Sequence, residues 1–257
     1  MKQVLQDSIS KFKKGSRALT LLPAGDPDGC KGCPVASECY AISIGKHRPS
    51  VPQKYRKRSK EVQPSALVRL AEYEIGHALL AEEVIPWFRW NPLGSSPSLS
   101  ALKARKDQKQ FFAAARDLAQ ALNEANIPQH WPIQGAAKAK AYRKRLGDVV
   151  TIRESVGQID DESQINGNAA ALRKHGARSV VAGSKGRGNA ANAATAQAVA
   201  DRATAKGISC KVCPAALETF RVQATRPRQP ARQSQKCGSC TACSDSKTEL
   251  VIYPWHA

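Results

Sequence analysis

Acidic residues are scarce in this chain. Asp and Glu number 21 against 40 Lys and Arg, giving a formal charge of +19 at pH 7 and a pI near 9.9. Such a field favours polyanions, nucleic acid first and an anionic membrane surface second. Aromatic residues make up only 5% and methionine occurs once, which argues against a surface built mainly on base stacking over many rings. No run of about 18 apolar residues is present to cross a bilayer, so no membrane partner is expected. No apolar segment of the secretion-signal kind follows Met1. A cytoplasmic location with reduced thiols is therefore expected. No G-x-G-x-x-G opens a helix after the first strand and no Walker A sequence occurs, which weakens dinucleotide and P-loop readings. No Ser/His/Asp arrangement can be argued either.

The middle of the chain also lacks cysteine. Of eight cysteines, Cys30, Cys33 and Cys39 lie near the N-terminus, and Cys210, Cys213, Cys237, Cys240 and Cys243 lie near the C-terminus. Reduced thiols two residues apart read as metal ligands, because both can face one ion or cluster across a tight turn. Cys237, Cys240 and Cys243 have the spacing of a bacterial-type ferredoxin run, and Cys213-Pro214 is like the remote Cys-Pro that completes such a site. A [4Fe–4S] cluster on these four is favoured. Cys30, Cys33, Cys39 and Cys210 would then form a second site. Zinc is the alternative, either as a Cys3His set of Cys237, Cys240, Cys243 and His256, or as a knuckle of Cys30/Cys33 with Cys210/Cys213. Free structural cysteines and a disulfide scaffold explain this clustering less well.

Between the cysteine groups, strand and helix patterns alternate. An amphipathic helix is expected over 65–84, with Leu67, Leu70, Ala71, Ile75, Leu79 and Leu80 at helical spacing. Strands are expected near 85–90, 127–134, 148–155, 178–184 and 208–212, separated by helices near 107–125, 137–147, 161–175 and 189–206. This order predicts an α/β fold with a parallel sheet, as an open doubly wound sheet or an incomplete (β/α) barrel, flanked by cysteine-rich segments. Three regions follow: a basic segment with the first cysteines over 1–60, an α/β body over 61–212, and a second cysteine module with a basic loop over 213–257. The terminal apolar run LVIYPWH is expected to dock a short strand on the body and bring His256 towards the cysteines.

Ligands of parallel α/β sheets bind at the carboxyl ends of the strands. On the expected boundaries those ends carry Asn91, Gly94, Ser95, Gln134, Arg153, Glu154, Ser155, Ser184, Lys185, Arg187, Cys210 and Cys213. The stretch Gly183-Ser184-Lys185-Gly186-Arg187-Gly188 precedes a helix. Its glycines allow close backbone approach to a phosphate, and Lys185 and Arg187 supply charge; a flexible basic loop is the plain alternative. Lys54, Arg56, Lys57 and Arg58, with Tyr55 among them, form the densest candidate patch for phosphates. Pro49 and Pro52 argue against a regular helix at its start. Arg226 and Arg228 sit in an acid-free stretch, 221–236, which ligation at both ends would turn into a constrained basic finger. Glu154 reads as an ion-pair partner rather than a general acid or base. His77 and His130 read as packed residues, and Asp160-Asp161-Glu162 as an acidic helix start.

Cys33-Pro34 with Cys39-Tyr40-Ala41, the stretch FRWNPLGS (88–95), Cys213-Pro214-Ala215, the run Cys237-x2-Cys240-x2-Cys243 and the apolar close before His256 come in an order that resembles the phage "gene product 88" domain family. The likeness covers about a third of the chain. It implies a phage or mobile-element origin and a cysteine-bound centre, and it supplies no substrate. The family tends to have Gly-Asp where this chain has Gly94-Ser95, which puts an acid-dependent role at that loop in doubt. The sequence thus leads to a metal-cluster protein acting on nucleic acid, in its sharper form an iron–sulfur enzyme that modifies or processes DNA or RNA. The alternatives are a zinc-stabilised, non-enzymatic nucleic-acid-binding accessory or host-takeover protein, and a small-molecule redox enzyme whose basic charge is incidental.

Overall fold

The computed structural model describes residues 4–7, 15–30, 42, 49–91, 94–159, 177–184, 186–214, 217, 240, 242–245 and 247–254. The fold is α/β with parallel strands and interleaved helices. The chain divides into two compact units: described residues up to Ile152 form the first, and those from Arg153 onward form the second.

In the first unit the strands run in the order β1 (Gln6–Asp7), β2 (Arg17–Leu19), β4 (Phe88–Trp90) and β6 (Gln129–Gln134). The β1–β2 pair is antiparallel, and β2–β4 and β4–β6 are parallel. A separate two-stranded ribbon joins β3 (Leu22–Pro23) to β5 (Gly94–Ser95). The helices are α1 (Pro27–Cys30), α2 (Ser50–Glu61), α3 (Pro64–Leu80), α4 (Leu99–Ala104), α5 (Gln108–Glu124) and α6 (Ala136–Leu146). Periodicity explains α5 well, since Phe111, Leu118 and Leu122 fall on one stripe and all are buried. They meet Leu67, Val68, Ala71 and Ile75 of α3 in one core with Phe88, Trp90 and Trp131. Trp90 and Trp131 stack with centroids 3.8 Å apart and an interplanar angle of 7°. Such an aromatic pair adds about 0.5–1.5 kcal/mol beyond its area burial.

The second unit holds β7 (Ile152–Ile159, from Arg153 on), β8 (Arg178–Ala182), β9 (Cys210–Val212), β10 (Leu250–Pro254) and the helix α7 (Asn189–Ala205). All strand pairs here are parallel, in the order β7-β8-β10-β9. The chain's last strand is therefore an interior one, with β8 on one side and β9 on the other. Its sequence suits that place. Leu250, Val251 and Ile252 are all buried, as a central parallel strand covered on both faces requires. Ala196, Val199, Ala200 and Ala203 of α7 pack on Val180, Ala182, Leu250 and Ile252. In each unit the strand order is linear, the open form of the two arrangements expected.

Two expectations change, and one falls outside the described residues. The proline pair Pro49/Pro52 does not keep the basic run out of a helix: α2 begins at Ser50 with Pro49 as its N-cap. Pro52 falls in the first turn, where no N–H has an intrahelical partner to lose. The strand expected at 148–155 begins instead at Ile152 and runs to Ile159, because Gly147–Val149 form a 3-10 turn after α6. Arg153 and Glu154 are thereby moved from the carboxyl to the amino end of their strand. The helix expected near 161–175, with Asp160, Asp161 and Glu162, lies outside the described residues.

Candidate metal centre

Strand alternation decides where the thiols of the second unit point. Successive residues of a strand face opposite sides of the sheet. Cys210 and Val212 of β9 pack with the α7 core. The Cys210 thiol donates to the Ala200 carbonyl at 3.3 Å and lies 3.4 Å from the Thr204 hydroxyl, both on α7. Cys213, three residues on, falls on the other face; its backbone N–H continues the ladder onto the Ile252 carbonyl at 2.8 Å. That face also carries Tyr253 of β10, the odd neighbour of the inward-facing Ile252. The Cys-x2-Cys spacing that a metal knuckle would use across a turn is here divided between two faces of a sheet.

Tyr253 and Cys243 meet on this second face, with the phenol oxygen 3.0 Å from the Cys243 sulfur. Burial pushes the Tyr253 phenol well above its ordinary value. Cys243 and Cys213 add to the rise, and Arg153 opposes it. Cys213, Cys243, Tyr253 and Arg153 therefore share one electrostatic neighbourhood. Cys240 and Cys243 are both half-buried.

Arg153 holds the cysteine loop in place. Its side chain is fully buried, at 0% exposure. Nε donates to the Cys243 carbonyl at 3.1 Å. Nη1 donates to the carbonyls of Arg178 at 3.2 Å and Thr248 at 3.0 Å, and Nη2 to those of Ala242 at 2.6 Å and Asp245 at 2.8 Å. One guanidinium so ties the start of β8 and the carbonyls of Ala242, Cys243, Asp245 and Thr248 to β7. Burial lowers the guanidinium's pKa, while Tyr253, Cys243 and Asp245 pull it back up. Among the described residues no carboxylate lies within ion-pair distance of Arg153. The Asp245 carboxylate turns instead to the Lys247 N–H at 2.9 Å and the Thr248 hydroxyl at 3.1 Å. Glu154, next along β7, pairs with Arg178 at 3.2 Å, both buried, so its partner is a neighbour in the sheet.

The described residues bring one thiol, Cys243, onto the Tyr253 phenol, with Cys213 among that phenol's electrostatic neighbours and Cys240 half-buried. Among the described residues no group of three or more His, Cys, Asp or Glu side chains closes on one point. Cys33, Cys39, Cys237 and His256 lie outside the described residues. In the first unit Cys30 ends α1 and donates its thiol to Ser95 at 3.5 Å.

The phosphate candidates separate similarly. Ser184 and Arg187 belong to the β8–α7 loop, with Lys185 outside the described residues. Asn192, buried in the first turns of α7, accepts from the Ser184 N–H at 3.0 Å and donates to the Ser184 carbonyl at 3.1 Å. Gly183 has φ +95°, and a Cβ there would lie 2.2 Å from the Asn192 Oδ1. Arg187 is exposed, and α7 has no acid in its first turn. On α2, Lys54, Arg56 and Lys57 are exposed, with Lys57 3.9 Å from Glu61. Arg58 is different. It donates to the carbonyls of Val4 (3.1 Å) and Thr20 and stacks 5.0 Å over the buried Tyr55 ring. Tyr55 is thus part of the core and offers no stacking surface. Arg226 and Arg228 lie outside the described residues. In the first unit, Asn91, after β4, accepts from the Leu21 N–H at 2.9 Å and donates to Ser96 Oγ at 2.8 Å, and Ser96 Oγ also accepts from the Trp131 indole at 2.8 Å.

Sequence reasoning passed over the contact of Tyr253 with Cys243 and the buried role of Arg153. Tyr253 was an aromatic in a terminal apolar run, and its alternation with Ile252 was the available signal. Arg153 was placed at the wrong strand end by the four-residue error in β7. No helix of the described residues is long and apolar enough to cross a membrane. Compared with models of known families, with curated proteins and with solved structures, the chain gives no significant match.

Proposed function

We propose that this chain is a nucleic-acid-binding protein with a cysteine-ligated metal centre in its second unit. One observation carries the reading: the Cys243 sulfur lies 3.0 Å from the Tyr253 phenol, whose electrostatic neighbours include Cys213, and the buried Arg153 holds the carbonyls of Cys243 and Ala242. Cys213, Cys240 and Cys243, completed by Cys237, would supply four thiolates. That donor set takes a [4Fe–4S] cluster or zinc. The three-cysteine run with a remote Cys-Pro favours the cluster, and with it the form in which the protein is an iron–sulfur enzyme processing DNA or RNA. Zinc, with His256 as a further donor, belongs to the binding-module form. A reducing compartment such as the cytoplasm keeps these thiols ready for metal. The resemblance to the phage family points the same way.

The nucleic-acid part rests on the +19 charge and on exposed cations at Lys54, Arg56, Lys57 and Arg187. Binding governed by phosphate contacts falls linearly in log K against log salt, by about 0.9 per phosphate neutralised on duplex DNA. The test is metal, iron and acid-labile sulfide analysis of protein purified without oxygen, followed by titration of labelled single- and double-stranded oligonucleotides across salt concentrations. About four iron and four sulfide per chain, on general cluster grounds, with steep salt dependence supports the cluster form. Stoichiometric zinc with the same salt dependence supports the binding module. Protein without metal, or without salt-dependent binding, overturns the corresponding half of the reading.

A further inference from the structure

Helix packing gathers cations that lie scattered along the first unit. Residues 99–146 hold ten Lys and Arg against three acids, and each acid is engaged elsewhere. Asp107 is buried and accepts from the Ser65 N–H at 2.9 Å. Asp117 pairs with Arg69 of α3 at 2.6 Å, and Glu124 accepts from the Gln120 amide at 3.0 Å. The ion pairs among the described residues include none of Lys109, Arg116, Lys140, Lys144 and Arg145.

These five side chains belong to one pair of helices. Lys109 and Arg116 are both exposed, seven residues apart on α5, two turns along one face. Lys140 and Lys144 of α6 are exposed and four residues apart, about 6 Å along the axis. The helices lie side by side. Arg116 donates to the Arg145 carbonyl, the Arg145 guanidinium sits 5.4 Å over the Phe112 ring, and Asn123 donates to the Val149 carbonyl just after α6 at 2.7 Å. Like charges four residues apart weaken a helix, and an acid-free cluster repels itself. The fold gains nothing from either, whereas a bound polyanion relieves both.

The groups around the cations say which polyanion fits. Phe111, Phe112 and Tyr142 are buried, so these helices offer none of the rings on which single-strand binders stack bases. The exposed large apolar residues among those described are Tyr73, Leu79, Leu80 and Val84. None is on α5 or α6, so nothing large and apolar on these helices enters a lipid surface. Exposed Ala113 and Ala137 keep the surface between the cations low. Such a face suits the paired phosphate rows of a duplex, contacted without reading bases. We propose that α5 and α6 form a duplex-backbone-binding face, on which Lys109, Arg116, Lys140, Lys144 and Arg145 hold phosphates. This rests on the nucleic-acid reading above and gives it a surface and a form of nucleic acid.

The experiment titrates full-length protein into a labelled mixed-sequence DNA duplex, and into its separated strands, across salt concentrations. Wild type is compared with a variant carrying Lys109→Gln, Lys140→Gln and Lys144→Gln. These three side chains make no hydrogen bond or ion pair among the described residues, so the urea midpoint is expected to stay unchanged. A control with Arg202→Gln, Lys211→Gln and Lys247→Gln removes the same charge from exposed positions of the second unit. The expected result is tighter binding of duplex than of single strands. The slope of log K against log salt on duplex should fall by up to about 2.7 in the first variant and by less than about 0.9 in the control. A slope unchanged from wild type in the first variant overturns the face and leaves the nucleic-acid reading standing. An equal fall in the control does the same, since it marks diffuse charge. A variant that loses only single-strand binding, or only binding to phosphatidylserine-containing vesicles, overturns the duplex assignment. No salt-dependent binding by wild type overturns both. If the triple variant does not fold, Lys140→Gln with Lys144→Gln decides alone, at up to about 1.8 in slope.

Discussion

A single guanidinium, one carboxamide and one phenol set much of the local order in this protein. Arg153 joins two strands and a loop through carbonyls distant in sequence. Asn192 does the same on a smaller scale by closing the Ser184 loop with both ends of its amide. The fit around it is tight enough to test. Gly183→Ala would put a Cβ 2.2 Å from Asn192 Oδ1 at a backbone φ of +95°. A loss above about 2 kcal/mol is expected, since left-handed strain and a broken buried hydrogen bond add. Asn192→Ala keeps the glycine and removes the amide, and should cost about 1–3 kcal/mol. Urea denaturation of the two variants checks both values. A neutral Gly183→Ala would mean that the loop is not held by Asn192.

Secondary-structure elements show how one segment can serve two tasks. Helix α2 turns Tyr55 and Arg58 inward and Lys54, Arg56 and Lys57 outward. Replacing the three outward cations together by Gln should lower the slope of log K against log salt by up to about 2.7 in oligonucleotide titrations, at about 0.9 per contact, with little change in stability. Arg58→Gln should do the reverse. It removes hydrogen bonds to Val4 and Thr20 and should cost about 1–3 kcal/mol, while the salt slope stays nearly constant. The basic run was legible in the sequence as a patch. Its division was not, because that depends on which helix face meets the core, and the prolines obscured the helix. The strand β10 gives the complementary case. Its apolar run was legible as a strand, whereas its place between β8 and β9 was set by a parallel pairing with residues some 70 positions earlier.

For the whole molecule, charge and burial pull stability in different directions with pH. Self-repulsion of a +19 chain eases as pH rises towards the pI. Above the ordinary phenol value the balance turns. Burial raises the pKa of Tyr142 far above 10.0, in a cluster with Phe111, Phe112 and Trp131 and with its hydroxyl on the Pro97 carbonyl at 2.7 Å. A folded-state pKa above the unfolded one gives stability that is whole below pH 10.0 and is lost as pH rises towards the folded value. In that window the unfolded chain releases a proton that the folded chain retains, so stability falls by about 1.4 kcal/mol per pH unit for this group. Tyr142→Phe should remove one proton's worth of that decline. Urea titrations at pH 9 to 11 on both proteins measure it, and equal slopes would refute it.

What the sequence determined by itself was set by local rules. Periodicity marked α3, α5 and α7, the alternation of strand and helix marked a parallel α/β fold, and the ratio of basic to acidic residues marked a surface suited to polyanions. Cysteine spacing marked thiol chemistry, because ligand spacing is a local property. The tertiary structure decided which thiols share a face. Cys210 and Cys213 look like a pair in the sequence and are parted by the two-residue repeat of a strand. Cys213, whose N–H meets the Ile252 carbonyl, and Cys243, whose sulfur meets the Tyr253 phenol, come to neighbouring residues of β10 although thirty residues apart, because β10 enters the sheet beside β9. Arg153 became the keystone of that face only through burial. A guanidinium reads in sequence as one more surface charge, and the importance of this one arises from the desolvation that packing imposes and from the five carbonyls it holds.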